Sequence, residues 1–284
     1  MDLLTEMDMK ASKGNFEYFF TKVLGFEMAP FHREWLERVQ TTQRTVTICS
    51  RDHGKSVFFH SWCVYQLCFQ DPGYEIIYIS SNQKQTMVHM KDIDRMFSTI
   101  PALKKFKPKA GWAVGRMELT NGNRIIERSV GSQIRGLHPD EIIIDDPMKE
   151  FSMTAIQRVS DWFWGDMIPT LHHTSSLRMI GTPFTYTDIF AELEENTEYD
   201  VKRYPAINQE RHCGLLAGIL IRWTAEEEKL ARLNLPVNIC AFPSLPIRCY
   251  SVRNILTNQR IEPLPFNTTE TTNRLNIISA TTHL

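Results

Sequence analysis

The sequence has no apolar run approaching the roughly 20 residues that span a bilayer, no C-x-x-C pair and no internal repeat. The first absence speaks against a transmembrane helix. The six cysteines stand at 49, 63, 68, 213, 240 and 249. That spacing supports neither a zinc site nor a disulfide framework, and free thiols in a reducing compartment are the expectation. A surplus of charge is also missing, because 32 basic and 33 acidic side chains leave a formal net charge of -1. Nothing global therefore favours nucleic acid, although a local basic track is compatible with that balance. The N-terminal MDLLTEMDMKASKGN carries acids where a secretory leader needs positive charge. A soluble intracellular protein is expected.

What is present has the pattern of a large folded domain. At 284 residues and 42% hydrophobic, the chain can bury a sizeable core as one large domain or two small ones. Phe16, Phe19, Phe20 and Val23 recur at helical spacing before Gly25, and Pro30 opens a second helix, FHREWLERV. Strands are expected at RTVTICS (44–50), EIIYISS (75–81), EIIIDD (141–146), SLRMIGT (176–182) and YDVKRY (199–204). Helices are expected from Lys55 to about Phe69, over 83–97 and 152–167, and from a Thr187 cap through Glu195. Asn121-Gly122 within RMELTNGNRIIE is a hairpin signal. The alternation predicts an α/β fold with a mainly parallel sheet flanked by helices.

Beyond Arg222 the character changes. Thr224-x-x-Glu227 has the form of a capping box. Residues 230–284 then contain no Lys and no Asp, with prolines at 236, 243, 246, 263 and 265. An irregular tail is expected there. The division predicted is an N-terminal helical segment (1–40), an α/β domain (41–234) and the tail (235–284).

The sharpest feature is Arg51-Asp52-His53-Gly54-Lys55-Ser56, between a strand and a helix. A phosphate-binding loop needs backbone amides aimed at the phosphates, a lysine for their charge and a hydroxyl for Mg²⁺. Gly54, Lys55 and Ser56 provide these at a helix N-terminus, where the dipole favours an anion. The usual first glycine of G-x-x-x-x-G-K-[ST] is Cys49 here. A second acid site is expected at Asp145-Asp146, where an apolar strand ends in carboxylates. Asp145 is the candidate Mg²⁺ ligand, through water or beside Ser56. Asp146 is the candidate that orients or deprotonates water, with Glu150 in reserve. In isolation two such acids read better as caps of the next helix; paired with the Gly-Lys-Ser loop they read as the metal and water site. A strand–helix unit and the hairpin separate the two motifs, as in P-loop ATPases that activate water with a second carboxylate.

Together these segments resemble the large terminase subunit of tailed double-stranded DNA phages. The resemblance is carried by the R-x-x-G-K-S loop, by SVGSQIRGLHPDEIIIDD and by RMIGTPFTYTDIF. APFHREWL and RWTAEEEKLARL resemble further family segments. It covers about residues 15–234 and implies a RecA-like P-loop NTPase that hydrolyses ATP with Mg²⁺ and translocates double-stranded DNA. Phe31 and His32 match an adenine-contacting segment, and Arg51 a loop arginine that contacts or senses the γ-phosphate. Arg135 matches an arginine finger acting on a neighbouring subunit's ATP, and Thr182 a coupling motif. An ion pair would equally explain Arg135, and a strand-end cap Thr182. The resemblance also implies a homo-oligomeric ring, portal-protein and small-subunit partners, and the cytoplasm of an infected or lysogenic host.

Two departures stand out. Many members carry Asp-Glu where this chain has Asp145-Asp146. The family's nuclease domain needs an acid cluster, and 230–284 contains only Glu262 and Glu270, so nuclease activity is not expected of this sequence. A non-hydrolysing nucleotide-binding remnant is the alternative function, with a helicase weaker. Among lesser features, the lysines at 104, 105, 107 and 109 with Arg116 could meet DNA phosphates or line a solvated loop. Trp162, Phe163 and Trp164 have the spacing of core residues, and His172-His173 lacks the further ligands of a metal site.

Overall fold

A computed structural model describes residues 3–205, apart from 52, 151, 184 and 186, and four short strands beyond. The chain divides into two compact units, residues 1–205 with 215–219, and residues 206–214 with 220–284. In chain order the first unit holds α1 (Leu3–Ser12), α2 (Phe16–Tyr18), α3 (Pro30–Thr41), β1 (Arg44–Cys49), α4 (Lys55–Phe69), β2 (Glu75–Ser80) and α5 (Gln83–Thr99). Then come β3 (Arg116–Glu118), β4 (Arg124–Ser129), β5 (Glu141–Asp145), α6 (Met153–Trp162), β6 (Ser176–Gly181), α7 (Ile189–Glu194) and β7 (Asp200–Tyr204).

Seven strands form one sheet in the order β3-β4-β2-β5-β6-β1-β7. Only the edge pair β3–β4 is antiparallel, closing the Asn121-Gly122 hairpin. The other neighbours run parallel. Strand β2 is buried at every position and β5 likewise, as expected of parallel strands covered on both faces.

Alternation along the strands divides the core between those faces. Ile76, Tyr78 and Ile143 join Phe16, Trp35, Phe58 and Phe97 on one side. Ile77, Ile79, Ile142 and Ile144 join Phe163, Leu177 and Phe190 on the other. Met9, Phe16, Phe19 and Phe20 from the N-terminal helices belong to the first cluster. Helix α4 is buried around most of its circumference, which identifies it as the central helix of that face.

Register sets the functional edge. Ser80, Asp145 and Ile180 are aligned across β2, β5 and β6, and Ile48 pairs with Gly181. The C-terminal ends of β1, β5 and β6 therefore share one edge. The strand between β1 and β5 is β6; β2, which intervenes in sequence, lies on the far side of β5.

Some local expectations are corrected. After α2 the chain makes a π-turn at Phe19–Val23, and α6 passes at Phe163–Met167 into another π-turn. The helix expected from a Thr187 cap is capped by Asp188, whose carboxylate accepts from the Phe190 and Thr185 amides. The expected capping box at Thr224 and almost all of the tail lie outside the described residues; there, β10 (Asn238–Ile239) and β11 (Tyr250–Ser251) form a small antiparallel pair. A second short sheet joins β8 (His212–Leu216) to β9 (Ile219–Arg222).

Candidate nucleotide-binding site

The loop between β1 and α4 turns on Gly54, which caps α4 with φ +71°. A side chain is disfavoured at that φ, and a Cβ there would lie 3.2 Å from His32 Nε2. His32 is the loop's support. The Ala29 amide donates to His32 Nδ1, so Nε2 carries the proton and donates to the His53 carbonyl at 2.9 Å. Burial disfavours the charged ring and lowers the His32 pKa from its ordinary value. The ring packs between Phe58 and Phe31.

His32 is buried behind the loop with both nitrogens engaged. Phe31 is only partly buried, its ring 5.3 Å from that of His53. His53 is itself buried, with Nδ1 against Ser50 Oγ and the Arg51 carbonyl. Arg51 is exposed on the loop, and Asp52 lies outside the described residues.

Lys55 crosses from the start of α4 to the end of β6. Its Nζ donates to Thr182 Oγ1 at 2.8 Å and to the Cys49 carbonyl at 3.4 Å, with Asp146 Oδ1 at 3.8 Å. Thr182 Oγ1 donates to the same Cys49 carbonyl at 3.0 Å. The Cys49 thiol is itself no nucleophile, because burial pushes its pKa up to about 12.

The two acids are held differently. Asp145 is fully buried: its Oδ2 accepts from Tyr78 Oη at 2.8 Å and from Ser56 Oγ at 3.3 Å. Its Oδ1 is buried with no hydrogen-bond partner among the described residues. Burial, then the neighbouring Asp146 charge, raises the Asp145 pKa. A buried carboxylate oxygen without a donor, beside a serine hydroxyl, fits a hard oxygen-seeking cation such as Mg²⁺.

Asp146 is 45% exposed. Among the described residues it is the only non-glycine with a left-handed backbone, at φ +46°. Its amide donates to Ile180 O, and its Oδ1 accepts from the Thr182 amide at 3.0 Å. Gly181 makes this approach possible. A Cβ there would sit 2.6 Å from Phe190 Cζ and 3.0 Å from Asp146 Oδ1.

Lys55, Ser56, Asp145, Asp146 and Thr182 thus converge at one sheet edge. Comparison with known proteins finds phage terminases. The large terminase subunit of Enterobacteria phage T3 is 25% identical over 170 residues, 55% of this chain and 28% of its own length. The bacteriophage HK97 large terminase superposes with a TM-score of 0.52 at 14% identity, over 69% of this chain and 44% of that one. This chain resembles the phage large terminase subunits. A mutant ATPase domain of the Thermus phage P74-26 large terminase superposes with a TM-score of 0.50 at 12% identity, over 67% of this chain and 85% of that domain. At these identities the superpositions establish a shared α/β fold and nothing finer. The chain spans less than half the length of the T3 and HK97 terminases, and no family model matches it.

Several parts of this site carry no local signal in the sequence. Tyr78 is a polar residue within an apolar strand, and strand alternation places it on the α4 face. His60 and His89 come from successive helices, 29 residues apart, and their rings meet behind Asp145 with nitrogens 3.0 Å apart. Burial holds His60 neutral, its pKa lowered to about 3. Gly181 was visible only as part of a strand end.

Arg135 is exposed. It pairs with Asp166 at 2.6 Å and donates to the Gly165 carbonyl. Of the lesser candidates, Trp162 and Phe163 are in the core, and Trp164 donates to Glu192. Lys107 is tied to Asp94, which also accepts from Trp112. Among the described residues, no helix is long and apolar enough to cross a membrane.

Proposed function

We propose that this chain is the ATP-hydrolysing motor domain of a phage DNA-packaging terminase, acting on double-stranded DNA. The observation that carries the reading is the junction of Lys55, Asp146 and Thr182 beside the unpartnered Asp145 Oδ1. Bound ATP with Mg²⁺ would supply the γ-phosphoryl group and a cation that offsets charge developing on transfer. Ser56 Oγ and Asp145 Oδ1 are the groups that would hold the cation. The amides opening α4 face the phosphates. Lys55 exchanges its bonds to Thr182 and Cys49 for phosphate oxygens, and Asp146 takes a proton from the attacking water.

Arg51, exposed on the loop, would meet the γ-phosphate. Arg135 would have to leave Asp166 to serve a neighbouring subunit of a ring. Release of Lys55 would leave the Thr182 hydroxyl bonded to the Cys49 carbonyl alone, a route by which nucleotide state reaches β6. The same reading implies portal-protein and small-subunit partners and action in the host cytoplasm.

A second reading, a nucleotide-binding remnant without turnover, is favoured by one observation. Asp146 is a residue shorter by one methylene than the family's glutamate, and its Oδ1 already faces Lys55 and the Thr182 amide. ATP turnover by the full chain with Mg²⁺, with and without linear double-stranded DNA, separates the two. The motor hydrolyses ATP faster with DNA; the remnant binds ATP and does not turn it over.

A further inference from the structure

Behind Asp145, on the side away from its unpartnered oxygen, the structure gathers metal-ligating atoms that the nucleotide reading does not use. His60 lies on α4, one turn beyond Ser56, and His89 on α5. Among the described residues, His60, His89 and Asp145 form the one group of three such side chains whose ligand atoms all lie within 4.8 Å of one another. All three are buried. His60 Nε2 and His89 Nδ1 are 3.0 Å apart, and His89 Nδ1 is 3.7 Å from Asp145 Oδ2.

We propose that His60 Nε2, His89 Nδ1 and Asp145 Oδ2 form a binding site for one transition-metal dication of the zinc class. With these separations, a point equidistant from the three atoms lies at most about 2.4 Å from each. Zinc bonds to imidazole and carboxylate are about 2.0–2.2 Å, so shifts of a few tenths of an ångström suffice. Two imidazoles and one carboxylate select Zn²⁺, Co²⁺ or Fe²⁺ over Mg²⁺, which demands six hard oxygens.

Supporting contacts are in place. Tyr78 Oη orients Asp145 by donating to Oδ2. The Gln85 side-chain amide lies 3.3 Å from His89 Nε2, and with its oxygen turned to the ring it accepts the proton that His89 carries when Nδ1 ligates. The site shares only Asp145 with the nucleotide reading. A metal there ties α4, α5 and β5 together directly behind the proposed Mg²⁺ ligand.

The test uses the full chain, stripped with chelator and titrated with Co²⁺, whose visible ligand-field absorption reports a low-symmetry nitrogen–oxygen site. The expected result is one equivalent bound with that absorption and a rise in melting temperature. Both are lost in His60→Gln and in His89→Gln. Gln85→Ala, a milder change should either histidine variant misfold, weakens binding about 10–100-fold. Wild-type protein without the absorption overturns the proposal. So does absorption of wild-type strength in both histidine variants or, should they misfold, wild-type affinity in Gln85→Ala; either result locates the ion elsewhere. Fluorescent-nucleotide binding by the same samples keeps this question separate from the nucleotide reading, since neither histidine is assigned to hold ATP.

Discussion

Lys55 Nζ donates to Thr182 Oγ1 at 2.8 Å across 127 residues of sequence, joining the helix after β1 to the end of β6. The same hydroxyl donates to the Cys49 carbonyl, and the Thr182 amide holds Asp146. One threonine therefore touches the lysine, the loop and the second acid. Thr182→Val keeps the side-chain volume and removes the hydroxyl. It should leave nucleotide affinity within a few-fold and lower kcat by about tenfold or more, the pattern of an interaction used after binding. Steady-state kinetics decide it; a rise in KM at unchanged kcat would limit Thr182 to binding.

Tyr78 holds Asp145 from behind. Tyr78→Phe removes a donor and keeps the ring in the core. The Mg²⁺ concentration for half-maximal turnover should rise about 10–100-fold, the usual cost of losing a group that orients a metal ligand. Nucleotide affinity measured without metal should not change. A Mg²⁺ titration of both proteins checks this.

Gly181 permits the contact between β6 and Asp146. In Gly181→Ala the new Cβ meets Phe190 and the Asp146 carboxylate, and displacing the acid by about 1 Å should cost on the order of a hundredfold in turnover. Retained ATP binding would separate this effect from misfolding. Wild-type turnover in the variant would show that the position of Asp146 is unimportant.

Much of this site was legible because it is written in contiguous residues. The R-x-x-G-K-S loop, the apolar strand ending in Asp145-Asp146 and the Asn-Gly hairpin each encode their geometry locally, through a glycine φ, an unbroken isoleucine run or a turn pair. What escaped depends on contacts between distant segments. Strand order is one example: β6, not β2, lies between β1 and β5, and spacing along the chain carries no record of it. His32 is another, since only the fold reveals that both its nitrogens are occupied beneath the loop. Asp188 displaces Thr187 as a cap because its carboxylate reaches two amides.

At the opposite end of the sheet, Arg178 and Glu141 form a buried ion pair at 3.0 Å. Trp62 Nε1 also donates to Glu141, and Arg178 donates to the Val39 and Gln43 carbonyls. Glu141→Ala strands a buried guanidinium and should cost about 3–5 kcal/mol. Chemical denaturation measures it. A loss below about 1 kcal/mol would mean that Arg178 finds water or another partner.

Acid should destabilise the fold through His32. Its folded pKa lies below its ordinary value, so below about pH 6.5 the unfolded chain binds the proton more readily and stability falls as pH falls. The contribution of one such group approaches about 1.4 kcal/mol per pH unit until the folded pKa is reached. His32→Gln should flatten that slope between pH 6.5 and 5, while the buried His60 contributes to both proteins alike. Denaturation midpoints across this range give the comparison, and identical slopes would contradict a neutral, buried His32.

The central claim is that Asp146, held by Thr182 and facing Lys55, activates water for attack on ATP. It is tested most directly by single-turnover hydrolysis of Mg²⁺-ATP at saturating nucleotide, comparing wild type with Asp146→Asn. Wild type should hydrolyse the bound ATP, and Asp146→Asn should bind it with similar affinity and hydrolyse it at least about a hundredfold more slowly. Equal rates would contradict the assignment of Asp146, and bound but unhydrolysed ATP in the wild type would contradict the motor.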